Sequence, residues 1–225
     1  MKVKICGITR AEDVMVCEEN NADLIGFINI KRSQRFVELN KINELTSKLK
    51  IKDKSVLVIE PDNLKEAELI LEKTDINIVQ FHSLSSDHIN SLKELKSINK
   101  ELKIIKAVGI PERINELKKI EIEDFARVCD SLLFDYENHG KSGGTGKQIP
   151  LKLVFEAARI AKNVNDDIEL FLAGGLNLKQ LENEGNFIAE IFDFIDVNSG
   201  VEDQPGFKNE QKIRSIIQFS KKLNF

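Results

Sequence analysis

The amino-acid sequence predicts a single (β/α)8 (TIM) barrel with parallel strands, one domain spanning residues 1–225. Three observations carry this expectation. Apolar runs of four to eight residues recur along the chain, segments of helical period lie between them, and no long Pro/Gly/Ser linker interrupts the series. Eight mostly unbroken apolar runs imply a parallel sheet covered by helices, and at that count the sheet closes on itself; an open doubly wound sheet is the structural alternative. With 225 residues and 41% hydrophobic content, the chain suffices for one sizeable core.

The first strand is expected over Val3 to Cys6, ending on a thiol and turning at once through Gly7. Leu24 to Ile28 follows, then Ser55 to Ile59, Ile76 to Phe81 and Lys103 to Val108. Ser131 to Asp135 is the sixth strand and delivers a carboxylate to its tip; Ile168 to Leu172 and Phe194 to Asn198 complete the set. Between them lie amphipathic stretches such as Leu64 to Glu72, with Leu64, Ala67 and Leu71 on one face, and Ile89 to Ile98.

Composition narrows the function classes. The formal net charge is −4, with Lys and Glu interspersed, which leaves no electrostatic footprint for a nucleic acid. No apolar run approaches the roughly 18 residues of a membrane helix. The three cysteines, Cys6, Cys17 and Cys129, show no metal-like or CxxC spacing, and no apolar leader follows Met1-Lys2, so a reduced cytoplasmic setting is expected.

The chemistry is expected where parallel α/β folds keep it, at the carboxyl ends of the strands. Cys6 is the first candidate there, although a buried cysteine is as readily a packing residue. Glycines cluster after the last three strands, in Ser142-Gly143-Gly144-Thr145-Gly146, Ala173-Gly174-Gly175 and Asn198-Ser199-Gly200. Such loops let backbone N–H groups converge on a phosphate, and barrels often hold phosphate after strands seven and eight. Lys4 shares strand parity with Cys6 and points into the barrel, where it needs a partner; Asp196 on the adjoining last strand faces it. His82 at the fourth strand tip is either a ligand contact or a polar surface group. His88, His139, Glu202 and Asp203 are read as surface residues, and Cys17 and Cys129 as packing residues.

Taken together, Lys4-Ile5-Cys6-Gly7-Ile8-Thr9, Gly26-Phe27 with Ser33-Gln34-Arg35, Val79-Gln80-Phe81-His82, Asp135 with Gly143-Gly144-Thr145-Gly146-Lys147, Leu172-Ala173-Gly174-Gly175-Leu176-Asn177 and Asp196-Val197-Asn198-Ser199-Gly200-Val201-Glu202 are diagnostic. The chain resembles the phosphoribosylanthranilate isomerases of tryptophan biosynthesis nearly end to end. The resemblance implies an Amadori rearrangement of a phosphorylated small molecule without metal or cofactor. By matching position it implies Cys6 as general base, Asp135 as general acid and Arg35 as a contact to the anthranilate half, and it favours His82 as a substrate contact; Asp196, set opposite Lys4 by parity, is further expected to reach a ribose hydroxyl of the substrate. Gly144, Gly146, Gly174, Gly175, Asn198, Ser199 and Gly200 then form the phosphate cradle, Asn198 standing where Ser is usual. The expected assembly is a monomer or homodimer. The histidine-pathway isomerase is disfavoured because Glu60-Pro61-Asp62 follows the third strand in place of a second glycine loop. A sugar-phosphate-binding barrel without turnover is the alternative from another class.

The chemistry asks for two opposite pKa shifts. A free thiol is only a few per cent thiolate at pH 7, a deficit of about 2 kcal/mol, so a basic Cys6 is expected to have its pKa lowered by neighbouring charge. An ordinary aspartate is about 0.1% protonated at pH 7, so an acidic Asp135 is expected to have its pKa raised.

Overall fold

The structure, a computed structural model, describes residues 1–50, 52–138, 141–142 and 149–223. Eight parallel strands form the barrel: β1 (Lys2–Ile5), β2 (Leu24–Ile28), β3 (Ser55–Ile59), β4 (Ile78–Phe81), β5 (Lys103–Ile110), β6 (Ser131–Asn138), β7 (Glu169–Leu172) and β8 (Phe194–Val197). Each neighbour in sequence is a neighbour in space, β1 pairs with β8, and the β5–β6 pairing completes the ring. The expected closed barrel is therefore present, and the open doubly wound alternative is not.

Among the described residues, eight α-helices cover the ring: α1 (Ala11–Glu19), α2 (Leu39–Thr46), α3 (Leu64–Leu71), α4 (Ile89–Ile98), α5 (Glu116–Ala126), α6 (Leu151–Val164), α7 (Leu178–Ala189) and α8 (Glu210–Lys222). Strand parity divides the core in two. Val3, Ile5, Ile25, Phe27, Leu57 and Val79 face outward and pack under the helices, while Cys6, Ile28, Val56, Val58, Ile105, Ala107, Leu133, Phe171 and Phe194 fill the interior. At the amino-terminal end, Phe171 and Phe194 stack 4.1 Å apart and nearly coplanar, with the Lys2 ammonium 4.7 Å from the Phe194 ring.

Two strands run longer than their apolar runs predict. β5 and β6 stay paired through Gly109↔Asp135 and Ile110↔Tyr136, and β6 continues into a short antiparallel ladder with Lys141–Ser142. Asp135 thus lies inside a strand held by ladder hydrogen bonds rather than at a loose tip. Cys17 and Cys129 are buried packing residues, as expected.

Candidate active site

The carboxyl ends of the strands surround a cavity of about 540 Å³. Cys6, Arg35, His82, Asp135, Gly174, Gly175, Asp196, Asn198 and Ser199 all line it. Gly144 and Gly146, with His139, lie outside the described residues.

Cys6 follows β1 directly, and its backbone N–H donates to Val197 O at 2.9 Å. Beneath it, Lys4 Nζ donates to Asp196 Oδ1 at 2.9 Å, the pairing anticipated from parity, with the Lys4 side chain fully buried. Burial works against the Lys4 charge, but Asp196 and Cys6 hold its pKa above the ordinary value. The close approach depends on Gly26 of β2. A Cβ there would sit 2.8 Å from Cys6 Sγ and 3.2 Å from Lys4 Nζ, so a side chain would force apart the pair it faces. The Cys6 thiol departs from expectation. Complete burial pushes its pKa up, outweighing the lowering effect of Lys4 and Lys208, and Asp196 adds to the rise. Desolvation prevails because the cations that oppose it are already engaged: Lys4 is paired with Asp196 and Lys208 with Glu202.

Asp135 behaves as expected. Burial lifts its carboxyl to about 6, against the opposing hydrogen bond from Tyr136 N–H, with Asp196 contributing in the same direction. His82 is pushed down to about 3 by burial and by the positive charges of Lys106 and Lys4, so its ring is neutral. Gln80 Nε2 lies 2.7 Å from His82 Nε2, within hydrogen-bond distance.

Arg35 is held in the β2–α2 loop, where its backbone N–H donates to Ser33 Oγ at 3.1 Å and Val37 N–H donates to Ile28 O at 2.8 Å. Its guanidinium forms a two-pronged pair with Glu202, Nε to Oε1 at 2.8 Å and Nη2 to Oε2 at 2.5 Å. This corrects the reading of Glu202 as a surface acid: the residue is 8% exposed and also accepts from Lys208 Nζ at 2.9 Å and Gly206 N–H at 3.1 Å. The reason is a small hairpin. Glu202–Gln204 pairs antiparallel with Phe207–Lys208 around Pro205-Gly206 and folds the carboxylate back against the barrel mouth, while Asp203 on the opposite face stays exposed. Burial alone would raise the Glu202 pKa, but the bonds from Arg35 and Lys208 hold it below the carboxylate range. Lys208 Nζ continues the network to Asn198 Oδ1 at 2.8 Å and Asn198 O at 3.0 Å. Glu202 and Lys208 were the residues missed; the Pro-Gly turn between them was the available signal.

The glycine loops after β7 and β8 meet. Gly174 and Gly175 have φ of +93° and +66°, a left-handed turn that leads to Asn177 at the start of α7. A Cβ on Gly200 would lie 1.9 Å from Leu176 O, so the two loops touch backbone to backbone. Among the described residues no group of three or more metal-ligating side chains occurs, and no helix is long and apolar enough to cross a membrane.

The same arrangement has relatives. An N-(5′-phosphoribosyl)anthranilate isomerase of Methanothermobacter marburgensis is 32% identical over 220 residues, covering 97% of this chain and 94% of its own length. The phosphoribosyl anthranilate isomerase of Thermus thermophilus superposes with a TM-score of 0.77 at 23% identity over the whole of both chains. Another such enzyme, solved with reduced 1-(o-carboxyphenylamino)-1-deoxyribulose 5-phosphate, gives a TM-score of 0.74 at 24% identity over 99% of each chain. The family model of N-(5′-phosphoribosyl)anthranilate (PRA) isomerase matches residues 3–219, from the strand beneath Cys6 to the helix beyond Lys208, and the chain belongs to that family.

Proposed function

We propose that this cavity converts N-(5′-phosphoribosyl)anthranilate to 1-(2-carboxyphenylamino)-1-deoxyribulose 5-phosphate, the isomerase step of tryptophan biosynthesis, with Asp135 as general acid and Cys6 as general base. The observation that carries the reading is one cavity lined both by a carboxyl raised to about 6 and by a thiol. Its volume of about 540 Å³ suits a sugar phosphate bearing one aromatic ring.

Asp135 donates its proton to the ribose ring oxygen as the C1′–O bond breaks and the nitrogen lone pair forms the iminium. Near pH 7 about a tenth of a carboxyl titrating at 6 carries the proton, against about 0.1% for an ordinary aspartate. Cys6 then takes the C2′ proton, the C–H electron pair neutralises the iminium to give an enolamine, and tautomerisation yields the ketone. The free thiol is too basic to be ionised in the empty site. The iminium supplies the missing positive charge beside Sγ at the step that needs a thiolate.

Substrate contacts follow from charge. Arg35 at the rim suits the anthranilate carboxylate, the Glu202 pair holding its guanidinium flat. The loops carrying Gly174, Gly175, Asn198 and Ser199 line the cavity and, with the adjoining Gly200, suit the phosphate. A relative of the same fold was solved with a phosphorylated small molecule of this class, which supports a ligand of that kind for the cavity.

The test follows anthranilate fluorescence as freshly generated substrate is consumed. Wild type should quench it rapidly, while Cys6→Ala and Asp135→Asn should each lose at least about a hundredfold in kcat with folding intact. Turnover that survives both substitutions would overturn the assignment.

A further inference from the structure

The Lys208 side chain is 0% exposed, so no ligand reaches its ammonium. Its three N–H donors have three acceptors: Glu202 Oε1 at 2.9 Å, Asn198 Oδ1 at 2.8 Å and Asn198 O at 3.0 Å. Glu202 balances the charge, while the other two bonds grip one residue of the cavity wall by side chain and backbone together. An ammonium can only donate, so the Asn198 amide has to present its oxygen to it. The root of the lysine is fixed as well: its C=O accepts from Arg10 Nη2 at 3.2 Å, and its backbone N–H donates to Asp13 Oδ2 at 3.5 Å. Gly7 leaves room for the arrangement, since a Cβ there would lie 2.6 Å from Asn198 Oδ1.

The backbone bond has a consequence one residue on. In a planar trans peptide the C=O and the following N–H point in opposite directions. With Asn198 O turned to the buried ammonium, Ser199 N–H is turned away from it, and Ser199 is exposed and lines the cavity. That N–H donates to no acceptor among the described residues, whereas Val201 N–H and Glu202 N–H in the same turn return to Asn198 O and Ser199 O. We infer that Lys208 is a positioning residue that, by holding both oxygens of Asn198, sets the Asn198–Ser199 peptide to offer the Ser199 N–H to the substrate phosphate. This rests on the isomerase reading of the cavity and adds to it the group that keeps the phosphate loop in shape. With Glu202 neutralising the ammonium and every donor engaged, Lys208 acts through geometry and not as a phosphate contact.

The experiment compares two ligands by titration calorimetry: reduced 1-(o-carboxyphenylamino)-1-deoxyribulose 5-phosphate and the same molecule without its phosphate. The ratio of their affinities reads the phosphate end alone. Lys208→Met keeps the stem and removes the donors, and the ratio should fall about tenfold. A second variant joins Lys208→Met to Glu202→Gln. It keeps the pair neutral, as in wild type, and leaves no buried carboxylate stripped of its cation, so it folds where the single variant does not. Its ratio should fall by the same factor, a change that lost stability or lost charge does not produce. A folded variant, single or double, whose ratio stays within about twofold of wild type would make Lys208 a packing residue and overturn the inference. A fall in the single variant alone would make the effect one of charge and overturn it equally. Wild type that binds neither ligand, or both equally, would instead remove the reading of the cavity itself.

Discussion

At the scale of single residues, burial and charge set the chemistry of Cys6, His82 and Asp135. The same burial that makes Asp135 a usable acid works against the native state. Its folded pKa of about 6 lies above the ordinary carboxyl value of 3.8, so the native state binds the proton more tightly than the unfolded chain. The stability linked to this group is complete below about pH 4 and is lost as pH rises through 6. Asp135→Asn should therefore stabilise the free protein at pH 7 by on the order of 2 kcal/mol in urea denaturation, with the gain vanishing near pH 4. A loss of stability at pH 7 would mean that the carboxylate is satisfied in the empty site. His82 acts in the other direction: with its folded pKa depressed, its contribution is present above the unfolded value near 6.5 and is lost as pH falls toward 3.

At the scale of elements, the turns are built from short polar residues and glycine. Asn63, Asn115, Asn177 and Asn209 each precede a helix and accept a hydrogen bond from the backbone N–H three residues on, which ends α3, α5, α7 and α8 cleanly at their amino termini. The many asparagines of the chain thus include a set with a mechanical task. Asn177 has a second consequence, because its helix begins where the Gly174-Gly175 turn ends and the loop leans on Gly200. Asn177→Ala should cost about 1 kcal/mol in unfolding free energy and raise KM for the phosphorylated substrate more than it lowers kcat. Asn63→Ala, at a helix start remote from that loop, should show the same stability loss with unchanged kinetics. Equal kinetics in both variants would separate α7 from the phosphate site.

At the scale of the whole molecule, the barrel is closed by its chain ends. β1 pairs with β8 from Lys2↔Phe194 to Ile5↔Val197, the amino terminus donates to Ser220 O at 3.2 Å, and the ion pair between the fully buried Lys4 and Asp196 on the cavity floor bridges the seam. Removing one member leaves the other charged and desolvated, so Lys4→Met should destabilise by about 3–5 kcal/mol in urea denaturation. Adding Asp196→Leu should recover most of that loss while leaving the site inactive. A double variant as unstable as the single one would show that the lysine matters through its packing and not its charge.

The sequence by itself determined the order of strands and helices, the closure at eight, and which residues reach the mouth. These follow from local period and parity: once Val3 and Ile5 face outward, Lys4 and Cys6 face inward, and the adjoining strand brings Asp196 opposite Lys4. What only the tertiary structure decided was how water is excluded and how charges neutralise. Arg35 and Glu202 are separated by 167 positions in sequence, and their pairing buries an acid that composition places at the surface. The rise in the Cys6 pKa has the same origin, since desolvation and the prior engagement of Lys4 and Lys208 depend on segments from both ends of the chain packing around one sulfur atom.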